Sequence, residues 1–133
     1  MTFCNIVEIA GEVRGGRVTA RAVTEATLSR IARLDGGINA FTAVTADRAL
    51  AAADAVDADL AAGRPVGPLA GVPFAVKNLF DIAGLPTLAG SKIRRDAPPP
   101  ARDATLVQRL TAAGAILVGA LNMDEFAYGF VTE

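Results

Sequence analysis

The chain has 133 residues, enough for one ordinary domain and too few for two. Just over half are apolar and the formal net charge is −1, which excludes a disordered segment and a charge-driven nucleic-acid binder. With Cys4 as the only cysteine and no histidine, a disulfide framework and a Cys/His zinc site are excluded as well.

No window approaches ~18 uninterrupted apolar residues, so no membrane-spanning helix is expected. The start, MTFCNIVEIAGEVRGG, lacks a basic region followed by an apolar one and a cleavage site, so no secretory signal is read and the expected compartment is the cytoplasm. Cys4 falls on a helix-like stretch and reads as a small buried hydrophobe.

Thr19 followed by ARAVTEATLSRIARL predicts an N-capped helix, with Val23, Leu28, Ile31 and Leu34 on one face and Gly36-Gly37 as its stop. Residues 38–44 are β-rich and read as a strand or an extended link. Thr45 is expected to cap a second helix, ADRALAAADAVDADLAAG, on which Leu50, Ala53, Val56 and Leu60 recur at helical spacing before Gly63. The turn-rich RPVGPLAG then leads into a strand, VPFAV, whose early proline leaves the ladder intact. From Asp81 to Arg102 the chain is polar and rich in Gly and Pro, a surface passage. Asp103 is expected to cap the helix ATLVQRLTAAG, with Leu106, Val107, Leu110 and Ala113 inward. AILVGAL follows as a continuous apolar run, the pattern of a strand buried on both faces of a parallel sheet.

Strand, crossover helix and strand make a βαβ unit, so the class is α/β. Two parallel strands and a few helices cannot cover both faces of a sheet. The chain is therefore expected to be the opening part of one larger domain. Residues 1–66 would be a helical packing segment and 67–133 the start of the α/β core.

Lys77 is the first candidate for chemistry. It ends an apolar strand, and its neighbours Phe74, Val76, Leu79 and Phe80 predict a low-polarity site. Desolvation pushes a lysine towards its neutral form, in which it can act as a general base. The alternative is a strand-end lysine that reaches water or pairs with Asp81. Of 13 basic residues only Lys77 and Lys92 are lysines, and arginine could not give up its proton. Among nucleophiles, Ser29 reads as a helix-surface residue, and Ser91, in AGSK, as turn chemistry that could still approach a base. No G-x-G-x-x-G or phosphate-binding loop is present, and the adjacent Asp124 and Glu125 would diverge rather than share a metal. No cofactor is expected.

GPLAGVPFAVKNLFDIAGLPTLAGSK, followed by DATLVQRLTAAGAILVGALNMDEFAYGFVTE, resembles the amidase signature family of Ser-cisSer-Lys amidohydrolases. The likeness is close over residues 67–133. It implies a mixed sheet covered by helices and gives Lys77 the place of the catalytic lysine. In that family a neutral lysine withdraws a proton, through a bridging serine, from a nucleophilic serine that attacks an amide carbonyl. The family's two serines lie in a segment of the type G-G-S-S-G-G-S, expected beyond residue 133; Ser91 matches a different serine of the family. Ala120-Leu121 stands where the large, glutamine-hydrolysing component of the tRNA amidotransferase usually has Lys-Thr. That difference points to the family's ureide hydrolases, with the tRNA enzyme as the alternative. The resemblance further implies a small amide or ureide substrate, a small helical partner similar to the C component of the amidotransferase, and no direct contact with nucleic acid. By the same analogy Phe126 and Tyr128 lie near the substrate channel; otherwise they are core aromatics. A third reading is a truncated product acting only as a binding module. Residues 1–133 alone are expected to be inactive, and a hydrolysis assay on them that revealed Lys77-dependent turnover would refute this.

Overall fold

The computed structural model describes residues 5–129; Cys4, for which burial is expected, and residues 130–133 lie outside that range. Helix α1 (Ile6–Arg14) starts at Asn5, whose side chain accepts the Glu8 N–H at 2.9 Å, and it buries Ala10 and Val13. Helix α2 (Ala20–Leu34) is capped as expected, the Thr19 hydroxyl accepting the Ala22 N–H. A second cap comes from far along the chain. The Asp57 carboxylate accepts the Ala20 and Arg21 N–H groups at 2.7 and 3.0 Å, so two first-turn donors are satisfied by another helix.

Strand β1 (Phe41–Val44) leads into α3 (Ala46–Ala61), and β2 (Pro73–Lys77) is followed by the long loop, α4 (Thr105–Ala112) and β3 (Ile116–Leu121). Gly63 and Gly114 fall just past α3 and α4, where the sequence puts their stops. The expected strand pair is parallel, with Pro73 opposite Ile116 and Lys77 opposite Leu121. The β-rich stretch ahead of α3 is a true strand, which pairs antiparallel with β3, Phe41 opposite Leu121. The described sheet is therefore mixed, in the order β1-β3-β2, with β3 in the middle and β2 at a margin.

β3 is buried from Ile116 to Ala120, as its uninterrupted apolar run requires. One face, through Ile116 and Val118, meets Val13, Ala20, Val23, Ala49 and Ala53 from α1, α2 and α3. The other, through Leu117 and Ala120, meets Val107 of α4 together with Ile82, Phe74 and Phe80. Leu117 and Ala120 could not share a face under strict alternation. A bulge resolves this: Phe74 pairs with Leu117 and the next residue, Ala75, with Gly119, so β3 carries one extra residue. Gly119 is required there, since a Cβ would lie 2.4 Å from the Ala43 carbonyl oxygen.

Two expected caps do other work. The Thr45 hydroxyl donates to the Leu117 carbonyl at 3.0 Å, tying α3 to β3 instead of capping α3. Asp103 leaves the cap of α4 to Ala104 and forms a two-pronged pair with Arg48 of α3, while also accepting the Ala83 N–H at 2.8 Å. Leu106 is exposed, contrary to the periodicity reading, so α4 buries a narrower stripe centred on Val107. Among the described residues no helix is long and apolar enough to cross a membrane.

Gly119→Ala is expected to lower stability by about 1–3 kcal/mol in a denaturant titration, because the clash is with backbone that cannot turn away. The hydrogen bonds from Arg48 hold the Asp103 carboxyl below the usual carboxylate range. A depressed folded value contributes stability that is present above the unfolded value near pH ~3.9 and fades as pH falls through the folded one. Asp103→Asn should therefore melt lower than the parent at pH 7, with the gap closing as the pH falls below about 4.

Candidate active site

The C-terminal ends of β2 and β3 lie side by side, the usual place for chemistry in an α/β sheet. β2 delivers Lys77 and then Asn78, which is buried and bonded through every polar group it has. Its N–H donates to the Leu121 carbonyl at 2.9 Å and its carbonyl accepts the Ala89 N–H at 2.8 Å. Its side-chain oxygen accepts the Leu88 N–H at 2.9 Å, and its side-chain amide donates to the Thr42 hydroxyl at 2.7 Å. One residue thus joins the ends of β1, β2 and β3 to the returning loop.

That loop then settles on the segment after β3. The Phe126 N–H donates to the Ala89 carbonyl at 2.8 Å, and the Ser91 hydroxyl donates to the Glu125 carboxylate at 2.5 Å. Gly90, at φ +67°, passes so close that a Cβ would lie 2.6 Å from the Met123 carbonyl oxygen. Asn122 hooks back to β1, its N–H donating to the Ala40 carbonyl at 2.7 Å. An open cleft of ≈ 210 Å³ beside this junction is lined by Thr42, Gly90, Ser91, Lys92, Arg95 and Asn122, among others.

Lys77 is not buried as the apolar run suggests: its side chain is 50% exposed. The reason is topological. Lys77 is the last residue of β2, a strand paired on one side among the described residues, and neither apolar cluster reaches it. Asp81 is not its partner either, since that carboxylate accepts the Thr87 hydroxyl at 2.6 Å. The Lys77 amine instead lies 3.6 Å from Asp124, whose side chain is only 12% exposed.

The remaining candidates separate. Ser91 is buried and committed to Glu125, so among the described residues no serine or threonine hydroxyl donates to Lys77. Ser29 is exposed on α2, as expected. Asp124 and Glu125 do diverge, one towards Lys77 and the other towards Ser91. Phe126 and Tyr128 are exposed among the described residues, and Phe126 itself has a φ of +52°. Sequence reasoning missed Asn78 and the Lys77–Asp124 pair. The signal for Asn78 was a polar residue directly after the apolar strand in V-K-N, where burial demands that its amide be satisfied. The pairing spans 47 positions and left no local signal.

The family model for amidases matches residues 22–133. Over 127 residues the chain is 61% identical to AtzE, a 1-carboxybiuret hydrolase polypeptide of Pseudomonas sp. (strain ADP), covering 96% of this chain and 28% of that protein. It is 52% identical, over 96% of its length and 25% of the relative's, to the A component of the glutamyl-tRNA(Gln) amidotransferase of Acidothermus cellulolyticus. Among solved structures, an inhibitor-bound s-triazine catabolic enzyme, described as part of a vestigial protein complex, superposes with a TM-score of 0.94 at 59% identity, over 96% of this chain and 28% of that one. The peptide amidase of Stenotrophomonas maltophilia superposes at 0.84 with 33% identity, over 93% of this chain and 26% of that one. The chain spans about a quarter of the length of these relatives. A family match that runs through both sheet ends and the loop between them, with identities this high, means that the chain belongs to the amidase signature family.

Proposed function

We propose that the protein containing this chain hydrolyses a C–N bond of a small urea- or amide-like compound, with 1-carboxybiuret or a related ureide as the substrate class. Lys77 is its general base. The observation that carries this reading is the position of Lys77, an amine at the end of a parallel strand, within reach of solvent and held by no hydroxyl among the described residues. A nucleophilic serine, relayed through a bridging serine, would give its proton to the neutral amine and attack the carbonyl carbon. The proton then passes to the departing nitrogen, and water releases the acid from the acyl-enzyme.

Neither serine has a counterpart among residues 1–133, where Ser91 already serves Glu125. A neutral lysine also needs less water than the half-exposed side chain has here, so the reading requires the serine-bearing segment to cover Lys77. Phe126 and Tyr128, exposed beside the same junction, are suited to line the substrate's approach. A small helical protein similar to the C component of the amidotransferase is the proposed partner.

Glutamine hydrolysis for a tRNA amidotransferase is the second reading, favoured by the 52% identity to the A component of one such enzyme. Ala120-Leu121 in place of that component's usual Lys-Thr pair weighs against it. A chain that includes the serine segment, offered 1-carboxybiuret in one assay and glutamine with charged tRNA in another, separates the two. In that chain Lys77→Ala and Lys77→Arg should each lower kcat/KM by about 10²–10⁴. The arginine variant fails because it keeps its proton; near-normal turnover by it would rule out the general-base role.

A further inference from the structure

Among the described residues, the Lys77–Asp124 pair is a charged contact at the sheet ends that the hydrolytic mechanism leaves unused. Asp124 is firmly placed. After Asn122 hooks to β1, Met123 is buried and Asp124 opens a tight turn, its carbonyl accepting the Ala127 N–H at 3.1 Å. Gly90 presses on the same backbone, a Cβ there lying 2.9 Å from the Asp124 carbonyl oxygen, and Gly129 lies so near that a Cβ there would be 3.3 Å from Oδ2 of Asp124.

With 12% exposure the Asp124 carboxylate has little water, and among the described residues no N–H or O–H donates to it. Its ion-pair partner there is Lys77. The other charged groups nearby are engaged elsewhere: Asp81 with Thr87, Glu125 with Ser91, and Arg94 with the Thr87 carbonyl. Lys92 and Arg95 border the cleft and form no ion pair with Asp124. A poorly hydrated carboxylate favours keeping a single cation beside it, although the half-exposed amine is screened by water and the contact at 3.6 Å is a loose one.

We infer that Asp124 is a positioning residue for Lys77: it holds the amine at the end of β2. The inference rests on the reading of Lys77 as the general base. Its consequence is specific. Without the carboxylate the half-exposed amine is free to swing into solvent, while the groups that would meet the substrate are untouched.

The test is steady-state kinetics on the chain that includes the serine segment. Asp124→Asn should lower kcat by about 3–10-fold with KM nearly unchanged, because the amine loses its hold and the substrate does not. Asp124→Glu, which keeps the charge, should recover most of that loss. A kcat that stays at the parent value in a folded Asp124→Asn protein overturns the inference, and so does a loss that Asp124→Glu fails to recover. Failure of both Asp124→Asn and Asp124→Ser to fold also overturns it, because it assigns the carboxylate to the fold. Lys77→Arg keeps the two questions apart. An active arginine variant defeats the general-base reading itself, whereas an inactive one beside an unchanged Asp124→Asn kcat defeats only the role of Asp124.

Discussion

Everything at the working end of this sheet depends on Asn78 being satisfied. A buried amide left with an unpaired donor or acceptor costs about 1–3 kcal/mol for each such group, so Asn78 fixes whatever it bonds. Through Thr42 it sets the end of β1, through the Leu121 carbonyl the end of β3, and through the Leu88 and Ala89 N–H groups the path of the returning loop. Lys77 is the residue immediately before it, so the amine's starting point is fixed by its neighbour's hydrogen bonds. The loop, once fixed, holds the segment after β3 through the Phe126 N–H and the Ser91 hydroxyl. That chain of contacts is what brings Asp124 to within 3.6 Å of Lys77.

The backbone carries strain at the same junction. Ala89, Phe126 and Ala127 all have φ between +50° and +58°, a region that costs a residue with a side chain roughly 1–2 kcal/mol. Ala89 is fixed from both directions, its N–H to Asn78 and its carbonyl to Phe126. Among the described residues, Asn39 is the only other non-glycine with positive φ, and it lies where β1 begins, its carbonyl accepting the Asn122 side-chain amide. The strained residues therefore gather where segments from distant parts of the chain cross at the sheet ends, and α1 to α4 carry none of it.

Local pattern revealed most of the fold. The helical spacing in α3 and in α2 as far as Ile31, the glycines that end α3 and α4 and the apolar run of β3 each follow from short-range rules, and the structure keeps them, while Leu34 at the end of α2 is exposed. What the sequence hid were the places where a side chain could serve two masters. Thr45 and Asp103 are good cap residues, but each has a tertiary partner, the Leu117 carbonyl and Arg48, that outcompetes a first-turn N–H. The bulge in β3 was hidden for a similar reason, since an unbroken apolar run carries no alternation whose phase could slip. Lys77 was legible as a candidate and misread in its surroundings. Phe74 and Val76 pack into the cluster around Leu117 and Val107, and strand alternation turns Lys77 away from them, so they say nothing of its own surroundings.

The exposure of Lys77 beside Asp124 bears on why a lysine suits the position. An arginine at the end of β2 would offer Asp124 a two-pronged pair, as Arg48 offers Asp103, and would stay charged whatever covered it. A lysine offers a single point contact, at 3.6 Å here, which is weak enough to be given up when its surroundings change. Covered as the proposed function requires, a lysine there could give up its proton, where an arginine would stay charged. That behaviour is available to lysine and denied to the arginines that make up the rest of this chain's basic residues apart from Lys92.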